Sequence, residues 1–127
     1  MKKVAFIGAG NMARAIIIGL VNSGVAAKNI IVANPSAEKR IQLANEFGVQ
    51  QTSDNIAAAS FADIIVLSVK PHFISDVCQQ LSSNIDISNK LFISVAAGTT
   101  VAQIQQTLNC QAALVRVMPN TPSQLGL

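Results

Sequence analysis

Gly8-Ala9-Gly10-Asn11-Met12-Ala13 has the spacing GxGxxA and directly follows the short apolar run Val4–Ile7. Each small residue has its own physical reason. Gly8 permits a tight turn, and Gly10 lets backbone approach a pyrophosphate with no Cβ in the way. Ala13 allows a helix to pack closely on a strand. Free N–H groups at the start of a helix attract phosphate, so the chemistry suggested is the holding of a dinucleotide. A glycine turn that binds nothing has the same sequence, and only a preceding strand and a following helix separate the two readings.

Three further places carry polar groups where such a ligand would need them. A run of β-branched residues ends in Ala33-Asn34-Pro35-Ser36, without the acid that usually binds both ribose hydroxyls of NAD. Asn34 and Ser36 can donate to a 2′-phosphate, and Lys39 and Arg40 lie one helical turn further on. NADP(H) is therefore favoured, with NAD(H) still possible because neutral residues tolerate it. Of Lys39 and Arg40, at least one is expected on an ordinary solvated helix face. Ser68-Val69-Lys70-Pro71 follows the strongest apolar run, and its lysine can reach ribose, phosphate or solvent. His72 is read as a surface or helix-start residue. Beyond it, Ala96-Ala97-Gly98 makes a floor of small residues on which a flat ring could lie. Arg116-Val117-Met118-Pro119-Asn120-Thr121-Pro122 ends the last strand, and the loop there is either a rigid turn or a source of hydrogen bonds from Asn120 and Thr121.

The elements that must position these groups alternate along the chain. Strands are expected at Lys3–Gly8, Ile30–Ala33, Ala62–Val69, Leu91–Val95 and Ala113–Val117. Helices are expected between them. Met12–Val21 is apolar all round and stops at Ser23-Gly24. Ala37–Phe47 places Ala37, Ile41 and Ala44 on one face and ends at Gly48. Asp54 caps a short helix at Asn55–Ser60. Phe73, Val77 and Leu81 recur every four residues with Ile74 and Cys78 beside them, and Thr100 and Gln103 have capping-box spacing before Ile104 and Leu108. Strand and helix in alternation mean βαβ units, hence an α/β fold: a doubly wound parallel sheet of the Rossmann dinucleotide-binding type.

Bulk properties exclude other classes. The 127 residues suit one domain, and 50% hydrophobic against 12% charged permits a buried core. Mean hydropathy is +0.45, yet no apolar run approaches the ~20 residues of a spanning helix. The apolar stretch after Met1-Lys2-Lys3 is too short for a secretion signal. A cytoplasmic protein without membrane contact is expected. Net charge is +3, with scattered basic residues and no Trp or Tyr, so nucleic acid is not the expected partner and a small anionic molecule is. One histidine and two unclustered cysteines, Cys78 and Cys110, leave no metal site and read as buried thiols.

Taken together, FIGAGNMA (Phe6–Ala13), SVKPH (Ser68–His72), SVAAG (Ser94–Gly98) and RVMPNTP (Arg116–Pro122) resemble pyrroline-5-carboxylate reductase in content, order and spacing. The glycine motif alone does not separate that family from 3-hydroxyacid dehydrogenases, prephenate dehydrogenases or deazaflavin-dependent NADP reductases; VKP, AAG and MPNTP in succession are more specific. The resemblance implies hydride transfer from reduced nicotinamide to the C=N carbon of 1-pyrroline-5-carboxylate, giving L-proline. It implies that Ile7, Gly8, Ala9, Gly10, Asn11 and Met12 wrap the pyrophosphate and that Asn34 sits by the 2′-phosphate. Asn55 matches an asparagine on the adenosine side. Ser68, Val69, Lys70 and Pro71 would line the groove, Val95, Ala96 and Ala97 would lie near the nicotinamide, and Asn120 and Thr121 near the substrate junction. No side chain is assigned as proton donor. Members of that family continue into a helical domain that forms the dimer and binds substrate. Residues 1–127 therefore read as a truncated dinucleotide-binding domain, inactive alone, from a homo-oligomeric enzyme. A stand-alone dinucleotide-binding module is the other reading.

Overall fold

The computed structural model describes residues 2–95 and the strand at 114–117. Its elements are β1 (Val4–Ile7), α1 (Asn11–Asn22), a 3-10 turn (Ala27–Asn29), β2 (Ile30–Ala33), α2 (Ala37–Phe47), β3 (Gln50–Thr52), α3 (Asn55–Phe61), β4 (Ile64–Leu67), α4 (Pro71–Asn84), β5 (Leu91–Ser94) and β6 (Leu114–Val117). The six strands form one sheet in the order β3-β2-β1-β4-β5-β6, and every pairing is parallel. That is the order of the doubly wound dinucleotide fold, with its reversal between β1 and β4.

Alternation along the central strands builds two cores. Val4, Ile30 and Ile64 stand in register, as do Ala5, Ile31 and Ile65. Val4, Phe6, Ile30 and Val32 face α1 and α2, where Ala13, Ile16, Ile17 and Leu43 cover them. Ala5, Ile7, Ile31, Ile65 and Leu67 face α3 and α4, under Ala58, Ala59, Ile74, Val77, Cys78 and Leu81. A strand buried on both faces needs apolar residues at every position, which is why these strands read as unbroken runs. Phe6 and Phe92, each fully buried, fill opposite faces.

Helix ends follow local chemistry. Asp54 accepts from the Ile56 N–H at 2.9 Å and caps α3. Gly48 ends α2 with φ of 76°, a left-handed conformation that suits glycine.

Two expectations need correction. The inward stripe of α2 carries Leu43, 4% exposed, whereas Ile41 is 46% exposed. Leu43 and the part-buried Phe47, four residues apart, present more apolar surface to the sheet than the alanines flanking Ile41. β3 was not foreseen. It is a three-residue edge strand, Gln50-Gln51-Thr52, whose side chains are largely solvated, so its pairing with β2 leaves no hydrophobic signal. The helix expected at Thr100–Leu108 lies outside the described residues, as does Cys110.

Candidate functional site

At the carboxyl ends of β1, β2 and β4 lies a cleft of about 660 Å³. Ligands of open α/β sheets bind at such ends, beside the reversal of strand order. Gly8 makes the turn out of β1 with φ of 111°. A Cβ there would stand 2.6 Å from the Ser68 carbonyl oxygen, so the neighbouring backbone alone requires glycine. The Ser68 hydroxyl in turn donates toward the carbonyls of Ile7 and Gly8, at 3.1 and 3.0 Å, pinning the end of β4 to the loop.

Gly10 is different. Its φ of −83° and ψ of −168° are open to any residue, and a Cβ would meet nothing within 4 Å. Neither backbone conformation nor packing demands glycine at this position. What remains is the space in front of it, which is cleft. Gly10 is also the N-cap of α1, whose first turn has no side-chain cap and no acidic residue. Among the described residues, neither a cap nor an acid of that turn offsets the positive end of the α1 dipole.

On the β2 side, Ala33, Asn34, Pro35, Ser36 and Lys39 form the wall. Asn34 Oδ1 accepts from the Ala9 N–H at 3.2 Å, and Asn34 Nδ2 donates to the Ser36 carbonyl at 3.3 Å. Its amide thus braces the glycine loop and the following turn at once. Lys39 lines the cleft, whereas Arg40 is turned away and hydrogen-bonds Gln51 of β3. On the β4 side, Ser68, Val69 and Lys70 lead into α4, with Lys70 as N-cap and Pro71 in the first helical position. His72 is exposed at that helix start, its ring 4.2 Å from that of Phe73.

The cleft brings together Ile7, Gly8, Ala9, Gly10, Asn34, Ser36, Asn55, Ser68, Val69 and Lys70 of the residues expected from sequence. Three of the others, Asn11, Met12 and Val95, lie elsewhere. Asn11 lines a smaller cavity of about 220 Å³ between α1 and α2, and Met12 packs against the α1-side core. Val95 is buried in that same core, 3% exposed. Ala96, Ala97, Asn120 and Thr121 lie outside the described residues. Sequence reasoning missed Phe73, Asp76, Val77 and Gln80 of α4 as wall residues. In the sequence, Phe73 and Val77 read only as part of an apolar helical repeat, and the polar Asp76 and Gln80 beside them belong to no motif.

The smaller cavity shares Lys39 with the cleft and is lined by a salt bridge from Arg14 of α1 to Glu46 of α2, at 2.6 Å. The hydrogen bond from Arg14 is the main reason the Glu46 carboxyl titrates below its usual range; the partner guanidinium moves up. Among the described residues, no three His, Cys, Asp or Glu side chains gather as a metal cluster, and no helix is long and apolar enough to cross a membrane.

Residues 3–98 match the sequence family described as NADP oxidoreductase coenzyme F420-dependent. The chain belongs to that family. Within this NADP oxidoreductase family, it is 56% identical over 126 residues to a pyrroline-5-carboxylate reductase of Vibrio alginolyticus, covering 99% of the chain and 46% of that relative. A solved pyrroline-5-carboxylate reductase from Coxiella burnetii superposes with a TM-score of 0.88 at 41% identity, over 98% of this chain and 46% of that one. A Plasmodium falciparum pyrroline carboxylate reductase, solved with NADP bound, superposes at 0.71 and 26% identity, over 84% and 38%. The resemblance read from the four sequence segments is borne out. This chain spans just under half the length of the relatives it matches.

Proposed function

We propose that this chain is the cofactor-binding part of a pyrroline-5-carboxylate reductase that prefers NADPH. When bound, a reduced nicotinamide dinucleotide supplies the hydride that converts the C=N bond of 1-pyrroline-5-carboxylate to L-proline. The residues present fit such a group, and Gly10 carries that reading. It is a glycine that the chain's own structure does not require, facing open cleft at an uncapped helix start.

Within the proposal each residue has a task. The open N–H groups at the start of α1, from Gly10 onward, hold the pyrophosphate, while Gly8 and Ala9, whose N–H groups go to the Ala33 carbonyl and Asn34 Oδ1, shape the loop together with Ser68. Ser36 and Lys39 meet the 2′-phosphate, a role for which a carboxylate at the end of β2 would be unsuited. Val69, Lys70 and Pro71 border the route toward the nicotinamide, which Ala96 and Ala97 would floor; Asn120 and Thr121 would stand at the substrate junction. The substrate and its proton donor belong to the remaining length that the relatives have, in a cytoplasmic homo-oligomer.

The family description also fits a deazaflavin-dependent NADP reductase. Against it stands the RVMPNTP segment, which lies beyond the family match yet within the stretch aligned to the Vibrio enzyme.

Calorimetric titration of the chain with NADPH and with NADH at one salt concentration tests the reading. Tighter binding of NADPH, with no turnover of 1-pyrroline-5-carboxylate by these 127 residues, is the expected result. Binding of neither nucleotide would overturn it.

A further inference from the structure

The cleft is not uniform in charge. Lys39, Lys70 and the uncapped start of α1 supply its positive charge, and Asp76 of α4 is the one carboxylate among the described residues of the wall. Asp76 is exposed at the cleft wall, and because a carboxylate cannot usefully face a phosphate, the space beside it suits a neutral part of the ligand that carries hydrogen-bond donors. It belongs to a single stripe of α4, Phe73, Asp76, Val77 and Gln80, at i, i+3, i+4 and i+7. Phe73 is 48% exposed although large and apolar, and Val77 stands one turn beyond it. This apolar pair offers a surface for a flat ring, and the polar pair lies at its margin.

The polar pair also has a defined pattern. Asn55 Nδ2 donates to Gln80 Oε1 at 3.2 Å, across from α3 to α4. That bond fixes the Gln80 amide and leaves its Nε2 free to donate. An acceptor at Asp76 thus sits one turn from a donor at Gln80. Adenine presents the complement, an N6 amino donor beside ring-nitrogen acceptors. Hypoxanthine replaces the amino group by a carbonyl and protonates N1, so it would set an oxygen against the Asp76 carboxylate.

We propose that Asp76 and Gln80 read the purine edge of the dinucleotide and make this domain selective for an adenine base over a 6-oxopurine. The inference rests on the cofactor-binding reading above and deepens it. Its test compares NADPH with its hypoxanthine counterpart, which carries the same phosphates and nicotinamide, by calorimetry on the chain and on Asp76→Asn. The chain should bind the hypoxanthine dinucleotide roughly tenfold more weakly, as for loss of one hydrogen bond to a charged group. Asp76→Asn, whose amide can turn to donate or accept, should bring that ratio close to one; circular dichroism checks that the variant is folded. Equal binding of the two dinucleotides by the unsubstituted chain would overturn the inference while leaving the cofactor reading intact. An unchanged ratio in folded Asp76→Asn would overturn it as well. Binding of neither would overturn the cofactor reading itself, and this inference with it.

Discussion

The two glycines of the loop do different work, and substitution separates them. Gly8→Ala forces a side chain onto a backbone at φ of 111° and drives its Cβ into the Ser68 carbonyl. Strain and clash together should cost roughly 2–4 kcal/mol, seen as a fall of roughly 10 °C in the thermal midpoint. Gly10→Ala meets neither penalty. Its midpoint should stay level or rise slightly, because alanine restricts the unfolded chain, while NADPH affinity falls at least about tenfold. Equal thermal midpoints for the two variants would contradict the division of labour, as would intact NADPH binding by Gly10→Ala. The spacing of GxGxxA announced both glycines without distinguishing them. Only the folded backbone does, since of the two Gly8 alone has a positive φ and is crowded by Ser68, sixty residues away.

Elements were legible where burial is two-sided. β1, β2 and β4 are unbroken apolar runs because both of their faces are covered, and Asp54 and Gly48 marked helix ends by local chemistry alone. What was hidden depends on tertiary partners. β3 is an edge strand held by backbone pairing to β2, so its glutamines carry no period. The inward face of α2 turns on which of two weak stripes the sheet accepts. That choice predicts that Leu43→Ala costs about 2–4 kcal/mol, the usual range for truncating a buried leucine, and that Ile41→Ala costs well under about 1 kcal/mol. Chemical denaturation of the two variants checks it; a larger loss from Ile41→Ala would reverse the assignment of the faces. The strap from Arg14 to Glu46 joins the same helix to α1 and should be visible in pH dependence. The Glu46 carboxyl titrates low in the folded chain, so whatever stability it adds is complete above the ordinary carboxylate range and disappears as pH falls through its depressed value. The thermal midpoints of the chain and of Glu46→Gln should therefore differ near neutrality and converge in acid. A gap that persisted at low pH would point to lost packing instead of lost charge.

For the molecule as a whole, fold and charge combine at one edge of the sheet. Strand order reverses between β1 and β4, so the loops that leave them splay apart and the crevice opens at their carboxyl ends. Into it the chain aims Lys39 and Lys70, and it neutralises the nearby Arg14 with Glu46. Two kinds of group could then favour NADPH over NADH: the mobile charge of exposed Lys39, or the fixed dipoles of Asn34 and Ser36. The Asn34 oxygen already accepts from the Ala9 N–H and its amide nitrogen donates to the Ser36 carbonyl, which leaves little of it for a phosphate. Charge should therefore dominate. Salt separates the two, because the Debye length shrinks from ~30 Å at 0.01 M to ~3 Å at 1 M and screens exposed charge far more than short hydrogen bonds. Across that range the ratio of NADPH to NADH affinity should fall severalfold, and in Lys39→Gln it should start low and change little. A ratio that held constant with salt would assign the discrimination to hydrogen bonds from the turn at Asn34 and Ser36, and would make Lys39 a solvated residue of the helix face.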